Sequence, residues 1–169
     1  MAIFETQNLA VGYTHGKQTT TLLSGLNLSL DSGQLVALLG QNGAGKSTLI
    51  RALTFATKPI EGKILLHGVD FDTITKSERA RLLGLVSTER IQAGALTVSE
   101  LVGLGRQPYT GFLGRLSDDD RAIVADAIRS VGMSHKAESF VANLSDGERQ
   151  KVMVAKALVH NPPVLILDE

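Results

Sequence analysis

The run Leu35-Val36-Ala37-Leu38-Leu39 passes directly into Gly40-Gln41-Asn42-Gly43-Ala44-Gly45-Lys46-Ser47-Thr48, after which Leu49, Ile50, Leu53 and Thr54 recur at helical spacing. An uninterrupted apolar run that ends on glycine predicts a central strand covered on both faces. Strand, glycine loop and helix in that order commit the chain to an α/β core. The segment Gly40–Thr48 fits G-x-x-x-x-G-K-[ST], and a strand before it with a helix after it is the context that separates a phosphate-binding loop from a chance glycine turn. Glycines let the backbone curl so that its N–H groups converge on phosphate oxygens, and the helix adds the positive end of its dipole. Gly40, Asn42, Gly43, Ala44, Gly45, Lys46, Ser47 and Thr48 are therefore the candidate nucleotide-binding set. Lys46 would reach the β- and γ-phosphates as a point charge, and Ser47 would give its hydroxyl to Mg²⁺.

Around this unit, Ile3–Val11 and Leu22–Leu30 alternate apolar and polar positions and predict two antiparallel strands of an outer sheet, separated by the polar stretch Thr14 to Thr21. Pro59–Gly62 reads as a turn, Lys63–His67 as a short strand, Lys76–Leu82 as a helix and Leu83–Ser87 as an apolar strand. From about Ile91 to Asn143 helix-start patterns take over: Thr97-x-x-Glu100 has capping-box spacing, and Ser117 precedes three aspartates. This region reads as a helical subdomain inserted into the core. Core character returns with a helix over Asp146–His160, where His160 is placed to favour the dipole as a cation, and then with Val164–Leu167.

Val164-Leu165-Ile166-Leu167 followed by Asp168 and Glu169 fits a Walker B strand. Asp168 would hold Mg²⁺ through water, and Glu169 would act on the attacking water as general base. Taken alone, an apolar strand ending in Asp-Glu carries little information; the phosphate loop upstream gives it weight. The bulk composition is permissive: 17 basic residues balance 17 acidic ones, so no chain-wide field favours nucleic acid or acidic lipid. The absence of cysteine removes disulfide frameworks, thiolate metal sites and cysteine nucleophiles. No segment reaches the roughly 18 apolar residues of a membrane helix.

Leu144-Ser145-Asp146-Gly147-Glu148 decides among the phosphate-loop families. It is a helix capping box in its own right, and it also resembles the signature sequence of ABC ATPases, usually LSGGQ, at the start of a helix shortly before Walker B. The resemblance spans essentially the whole chain. It implies a P-loop NTPase core with an antiparallel β subdomain (residues 1–89 and 144–169 for the ATP-binding core) and an inserted helical subdomain (90–143). Tyr13 stands where the family's A-loop aromatic stacks on adenine. Ser145 and Gly147 would contact the γ-phosphate of ATP held by a second copy, so that two chains sandwich two nucleotides head to tail. Leu104-Gly105-Arg106-Gln107-Pro108-Tyr109 is similar to a segment of the ATPase subunits of importers for iron-siderophore complexes, haem and cobalamin. Read without the family, it is a helix that ends at Gly105 with Pro108 blocking its continuation. The importer resemblance implies separate transmembrane permease subunits and a peripheral position on the cytoplasmic face of the inner (plasma) membrane.

Three departures accompany this resemblance. Glu89 occupies the position where the family places a glutamine that meets Mg²⁺; a carboxylate can ligate the ion but, when ionised, cannot donate a hydrogen bond. Asp146 and Glu148 replace glycine and glutamine in the signature. Glu169 is the last residue, ahead of the family's D-loop and switch histidine, so the expected core is C-terminally incomplete. Two alternatives to an importer ATPase stay open: an ATP-binding module without turnover, and a non-transport ABC ATPase. Residues 90–143 show no sustained heptads and no basic stripe, against the coiled-coil insertions and nucleic-acid contacts of the latter. An N-K-x-D base-reading sequence is absent, which disfavours a GTPase.

Overall fold

The computed structural model describes residues 2–16, 18–86, 95–110 and 114–168. They form two compact units, Met1–Arg79 and Ala80–Glu169. In the first, strands β1 (Ala2–His15), β2 (Gln18–Leu26), β3 (Ser29–Asp31), β4 (Glu61–Leu66) and β5 (Val69–Asp70) accompany helix α1 (Lys46–Leu53). The strand order is β2-β1-β4-β5, with β3 also pairing β1. All these pairings are antiparallel. The polar stretch expected to separate two strands instead continues the ladder, with Thr14 opposite Thr19 and His15 opposite Gln18. Its threonines have the β-branched shape that favours extended backbone even at an exposed edge. The expected single strand Leu22–Leu30 is divided at Asn27-Leu28 into β2 and β3. Thr6, only 3 % exposed, bridges that break. Its hydroxyl donates to the Leu26 carbonyl at 3.0 Å and accepts from the Leu28 N–H at 2.9 Å.

The Pro59–Gly62 turn is corrected in part, because Glu61 and Gly62 belong to β4. Gly62 has φ +81°, and a Cβ there would stand 2.4 Å from the Asn8 carbonyl oxygen and 2.5 Å from that of Gln7. Glycine serves a close backbone approach at this position. Beneath the sheet, Leu9, Val11, Ile64 and Phe71 are fully buried. The Phe71 ring meets Phe55 edge-on at 5.0 Å between centroids, with the Arg79 guanidinium 4.8 Å from the Phe55 ring centre.

The clearest departure from the sequence reading is Leu35–Leu39. The run expected to be a covered central strand pairs with no described strand. Leu35, Val36 and Leu39 are 95 %, 67 % and 87 % exposed. Apolar patterning records a preference for cover; a strand also needs neighbouring backbone to complete its hydrogen bonds, and the described pairings of β1 to β5 are with one another.

Helix α2 (Lys76–Leu82) crosses the division between the units. The second unit contains strand β6 (Leu83–Val86), helix α3 (Val98–Gly103), a 3₁₀ turn at Leu104–Arg106, helix α4 (Asp118–Ser130), helix α5 (Asp146–Leu158) and strand β7 (Val164–Leu167). Strands β6 and β7 pair in parallel, from Leu83 opposite Val164 to Val86 opposite Leu167. Leu101 and Val102 from α3, Val124 and Ile128 from α4, and Val152 and Ala155 from α5 share one core. A fully buried aliphatic side chain contributes about 1.5–3 kcal/mol relative to an exposed one. All three helices open with reciprocal caps: Thr97 with Glu100 and Ser145 with Glu148, as their spacing predicts, and Ser117 with Asp120, the last of the three aspartates that follow it. Among the described residues no helix is long and apolar enough to cross a membrane.

Candidate nucleotide site

Helix α1 begins differently from the others. Its N-cap is Gly45 at φ +91°, no side chain caps the first turn, and that turn holds no acidic residue. Helix α2 is capped by Thr75 and Glu78, and α3, α4 and α5 by the pairs above. A helix start leaves several N–H groups without intrahelical acceptors and carries the positive end of the dipole. In α2 to α5 a hydroxyl and a carboxylate occupy that position; in α1 it is open to an anion. Gly43, at φ +84°, lets the loop curl ahead of it. Gly40, Asn42, Gly43, Ala44 and Ser47 are exposed, with Gly45, Lys46 and Thr48 half-buried. Lys46 folds back over the loop, its Nζ donating to the carbonyls of Gly40 at 2.5 Å and Gln41 at 2.9 Å. An open helix start, left-handed glycines and a lysine over the loop fit a polyphosphate, and exposed Ser47 offers a hydroxyl oxygen to a hard cation.

Strand β2 links this loop to Tyr13. A Cβ on Gly45 would lie 3.4 Å from Leu23 Cδ1 and 3.8 Å from Leu22 Cβ, so β2 packs beside the loop. Three residues along β2, Thr20 stands opposite Tyr13, a step of roughly 10 Å at strand rise. The phenol is 55 % exposed, as a ring available for stacking requires.

In the second unit the Asp168 N–H donates to the Val86 carbonyl at 2.9 Å, continuing the ladder past the end of β7. Asp168 thus stands at the C-terminal end of a parallel strand pair. Glu89 and Glu169, the other carboxylates expected to serve Mg²⁺ and water, lie outside the described residues.

Ser145 is the N-cap of α5, and among the described residues nothing but the flanking residues and the helix's own backbone comes within 4 Å of a Cβ placed on Gly147. Sequence reading missed how the two atypical acids of this turn are balanced. Asp146 pairs with Arg149 at 3.0 Å, and Glu148 pairs with Lys136 at 2.6 Å. The lysine, then the main chain and hydroxyl of Ser145, hold the Glu148 carboxyl down at about 2.

The segment Leu104–Tyr109 is tied to the far end of α5. Arg106 Nε pairs with Asp120 at 2.7 Å and its Nη1 donates to the Val159 carbonyl at 3.2 Å. The Tyr109 hydroxyl donates to the His160 carbonyl at 3.1 Å. The Arg106 guanidinium stacks 4.1 Å from the Tyr109 ring centre, and Arg81 lies 5.2 Å from the same ring. Asp120 is kept below the usual carboxylate range by its bonds to Ser117 and then to Arg106. The helix ends at Gly103 and tightens into a 3₁₀ turn through Gly105.

His160 corrects an expectation. Helix α5 stops at Leu158, and neither ring nitrogen of His160, both buried, meets a hydrogen-bond partner among the described residues. Burial first, and then the nearby Arg106 charge, lower its pKa, an effect the main chain of Leu83 offsets only in part. The imidazole is a neutral packed group, and the cation at this helix end is Arg106, which donates to the carbonyl of the C-cap residue Val159. Its unfolded value is about 6.5, so at acid pH the unfolded chain binds the extra proton more readily than the folded one. Stability is therefore full above that value and falls as pH drops below it. Thermal unfolding should show a decline in melting temperature from pH 7.5 to 5.5 that His160→Gln flattens; an unchanged pH dependence in the variant would count against this role.

The chain is 38 % identical over 167 residues to an uncharacterised ABC transporter ATP-binding protein of Methanocaldococcus jannaschii, covering 99 % of this chain and 56 % of that protein. It is 32 % identical over 169 residues to the iron(3+)-hydroxamate import ATP-binding protein of Bacillus subtilis, covering 100 % of this chain and 61 % of that one. The chain thus spans less than two thirds of the length of these relatives. Among solved structures it resembles the dimeric structure of MJ0796, a bacterial ABC transporter cassette, with a TM-score of 0.81 at 25 % identity, covering 98 % of this chain and 73 % of that one. A P-loop ahead of an uncapped helix and a signature-like turn are joined by a match to the ABC transporter family over residues 23–169, and the chain belongs to that family.

Proposed function

We propose that this chain binds ATP with Mg²⁺ and supplies the ATP-hydrolysing part of an importer for an iron chelate or a related metal complex. The observation that carries the reading is the open start of α1 behind Gly43 and Gly45. Tyr13 would stack on adenine, the loop N–H groups and Lys46 would take the phosphates, and Ser47 and Asp168 would hold Mg²⁺, with Glu89 as a further ligand. When bound, Mg²⁺ would neutralise charge on the transferred phosphoryl group. Glu169 would orient and deprotonate water. Ser145 and Gly147 would meet the γ-phosphate on a second copy in a head-to-tail dimer, and membrane permease subunits would place the assembly peripherally on the cytoplasmic face. The iron(3+)-hydroxamate relative supports the substrate class, and the dimeric cassette supports pairing of two copies.

Glu169→Gln is the direct test of the hydrolytic reading. It should retain ATP affinity while lowering phosphate release by about 100-fold or more, in line with loss of a general base. Equal phosphate release by the parent and the variant would remove Glu169 from the chemistry. Equal and negligible release by both, with ATP still bound, would instead favour a binding module without turnover.

A further inference from the structure

The first turn of α5 presents an electrostatic conflict. Ser145 and Gly147, the groups proposed above to meet the γ-phosphate of a second copy's ATP, alternate with Asp146 and Glu148. A carboxylate a few ångströms from an incoming phosphate repels it, and the repulsion strengthens as the interface closes and excludes water. The two acids are not equivalent. Asp146 is 90 % exposed and its partner Arg149 lies one turn along the same helix, so water screens most of its charge. Glu148 is folded inward: Oε2 accepts from the Ser145 N–H at 2.9 Å and its hydroxyl at 3.0 Å, while Oε1 pairs with Lys136 Nζ at 2.6 Å. The lysine comes from a separate 3₁₀ turn, Ser134–Lys136, and both side chains of the pair are about two-thirds or more buried, at 32 % and 26 % exposure. A glutamine at 148 would need no such partner.

We propose that Lys136 is a positioning residue of the signature turn: by pairing with Glu148 it cancels the charge of the carboxylate that caps Ser145, and so admits the triphosphate of ATP held by a second copy to Ser145 and Gly147. The proposal rests on the two-copy reading given above. The same pairing holds Glu148 Oε1 on the lysine of the 3₁₀ turn, while Oε2 stays on Ser145. With the lysine absent, Glu148 keeps its negative charge beside Ser145 and remains the acceptor of the serine hydroxyl proton that a phosphate oxygen would otherwise take.

Self-association driven by the non-hydrolysed analogue AMP-PNP with Mg²⁺, followed by sedimentation equilibrium, provides the test, with circular dichroism confirming that each variant is folded. Lys136→Met should raise the nucleotide concentration needed for association about tenfold, the size expected for one uncompensated charge near an interfacial phosphate. Lys136→Met combined with Glu148→Gln should recover most of that loss, because it removes the unbalanced charge along with its partner. A structural role for the lysine predicts no recovery, and that result overturns the proposal. Gly147→Asp separates the two levels of inference. If it abolishes association while Lys136→Met has no effect, the two-copy reading stands and the role of Lys136 fails; if Gly147→Asp has no effect, the two-copy reading fails and the proposal falls with it.

Discussion

Replacing Lys46 with alanine should weaken ATP binding by about 100-fold or more while leaving the fold intact. Among the described residues the amine contacts only the carbonyls of Gly40 and Gln41, which nucleotide phosphates would replace as partners. A charge-assisted hydrogen bond is worth about 1.5–3 kcal/mol, so two phosphate contacts account for the expected loss. Stability should change by less than about 0.5 kcal/mol, because no buried group loses a partner. Isothermal titration with ATP and Mg²⁺, beside thermal unfolding of the same samples, measures both quantities. Unchanged affinity would refute the phosphate-loop assignment. A parallel fall in affinity and melting temperature would mean that the lysine holds the loop together instead of reading the nucleotide.

The parts of this site that sequence revealed are those whose physics is local. Gly45, Lys46 and Ser47 follow one another, and the caps at Thr97, Ser117 and Ser145 each span a single turn, so spacing alone specifies them. The parallel strands β6 and β7 were legible as apolar runs, though their pairing across the helices between them was not. Leu35–Leu39 misled for the opposite reason: its pattern reports a demand for cover and says nothing of which backbone supplies it. Lys136 was invisible because its meaning lies in Glu148, a residue brought to it by the approach of a 3₁₀ turn to α5. The same holds for Arg106, whose partners Asp120 and Val159 come from two different segments. Leu104–Tyr109 could be singled out as a motif, but its role as a tie to the end of α5 needed coordinates. His160 was misjudged because its position near a helix end suggested a charge that its burial forbids.

Gly105→Ala should be among the most destabilising single-methyl additions in the second unit, at about 2–3 kcal/mol. A Cβ at this position would lie 2.3 Å from both the Lys156 carbonyl oxygen and Val159 Cγ1. The oxygen belongs to the backbone of α5 and cannot rotate away, so relief requires the 3₁₀ turn and the helix to separate. Separation would stretch the contacts of Arg106 to Val159 and of Tyr109 to His160, both made within five residues of Gly105 on one side. Gly103→Ala is the matched comparison. Its added methyl would meet Leu116 Cδ1 at 3.0 Å, the end of a side chain that can turn aside. Alanine also gains up to about 1 kcal/mol of helix propensity over glycine, so that variant should stay within about 1 kcal/mol of the parent. Urea unfolding of the parent and both variants at pH 7.5 gives the comparison directly. Equal losses at the two positions would show that the approach of Gly105 to α5 is loose enough to absorb a methyl group, and that contacts other than this glycine hold the turn to the helix.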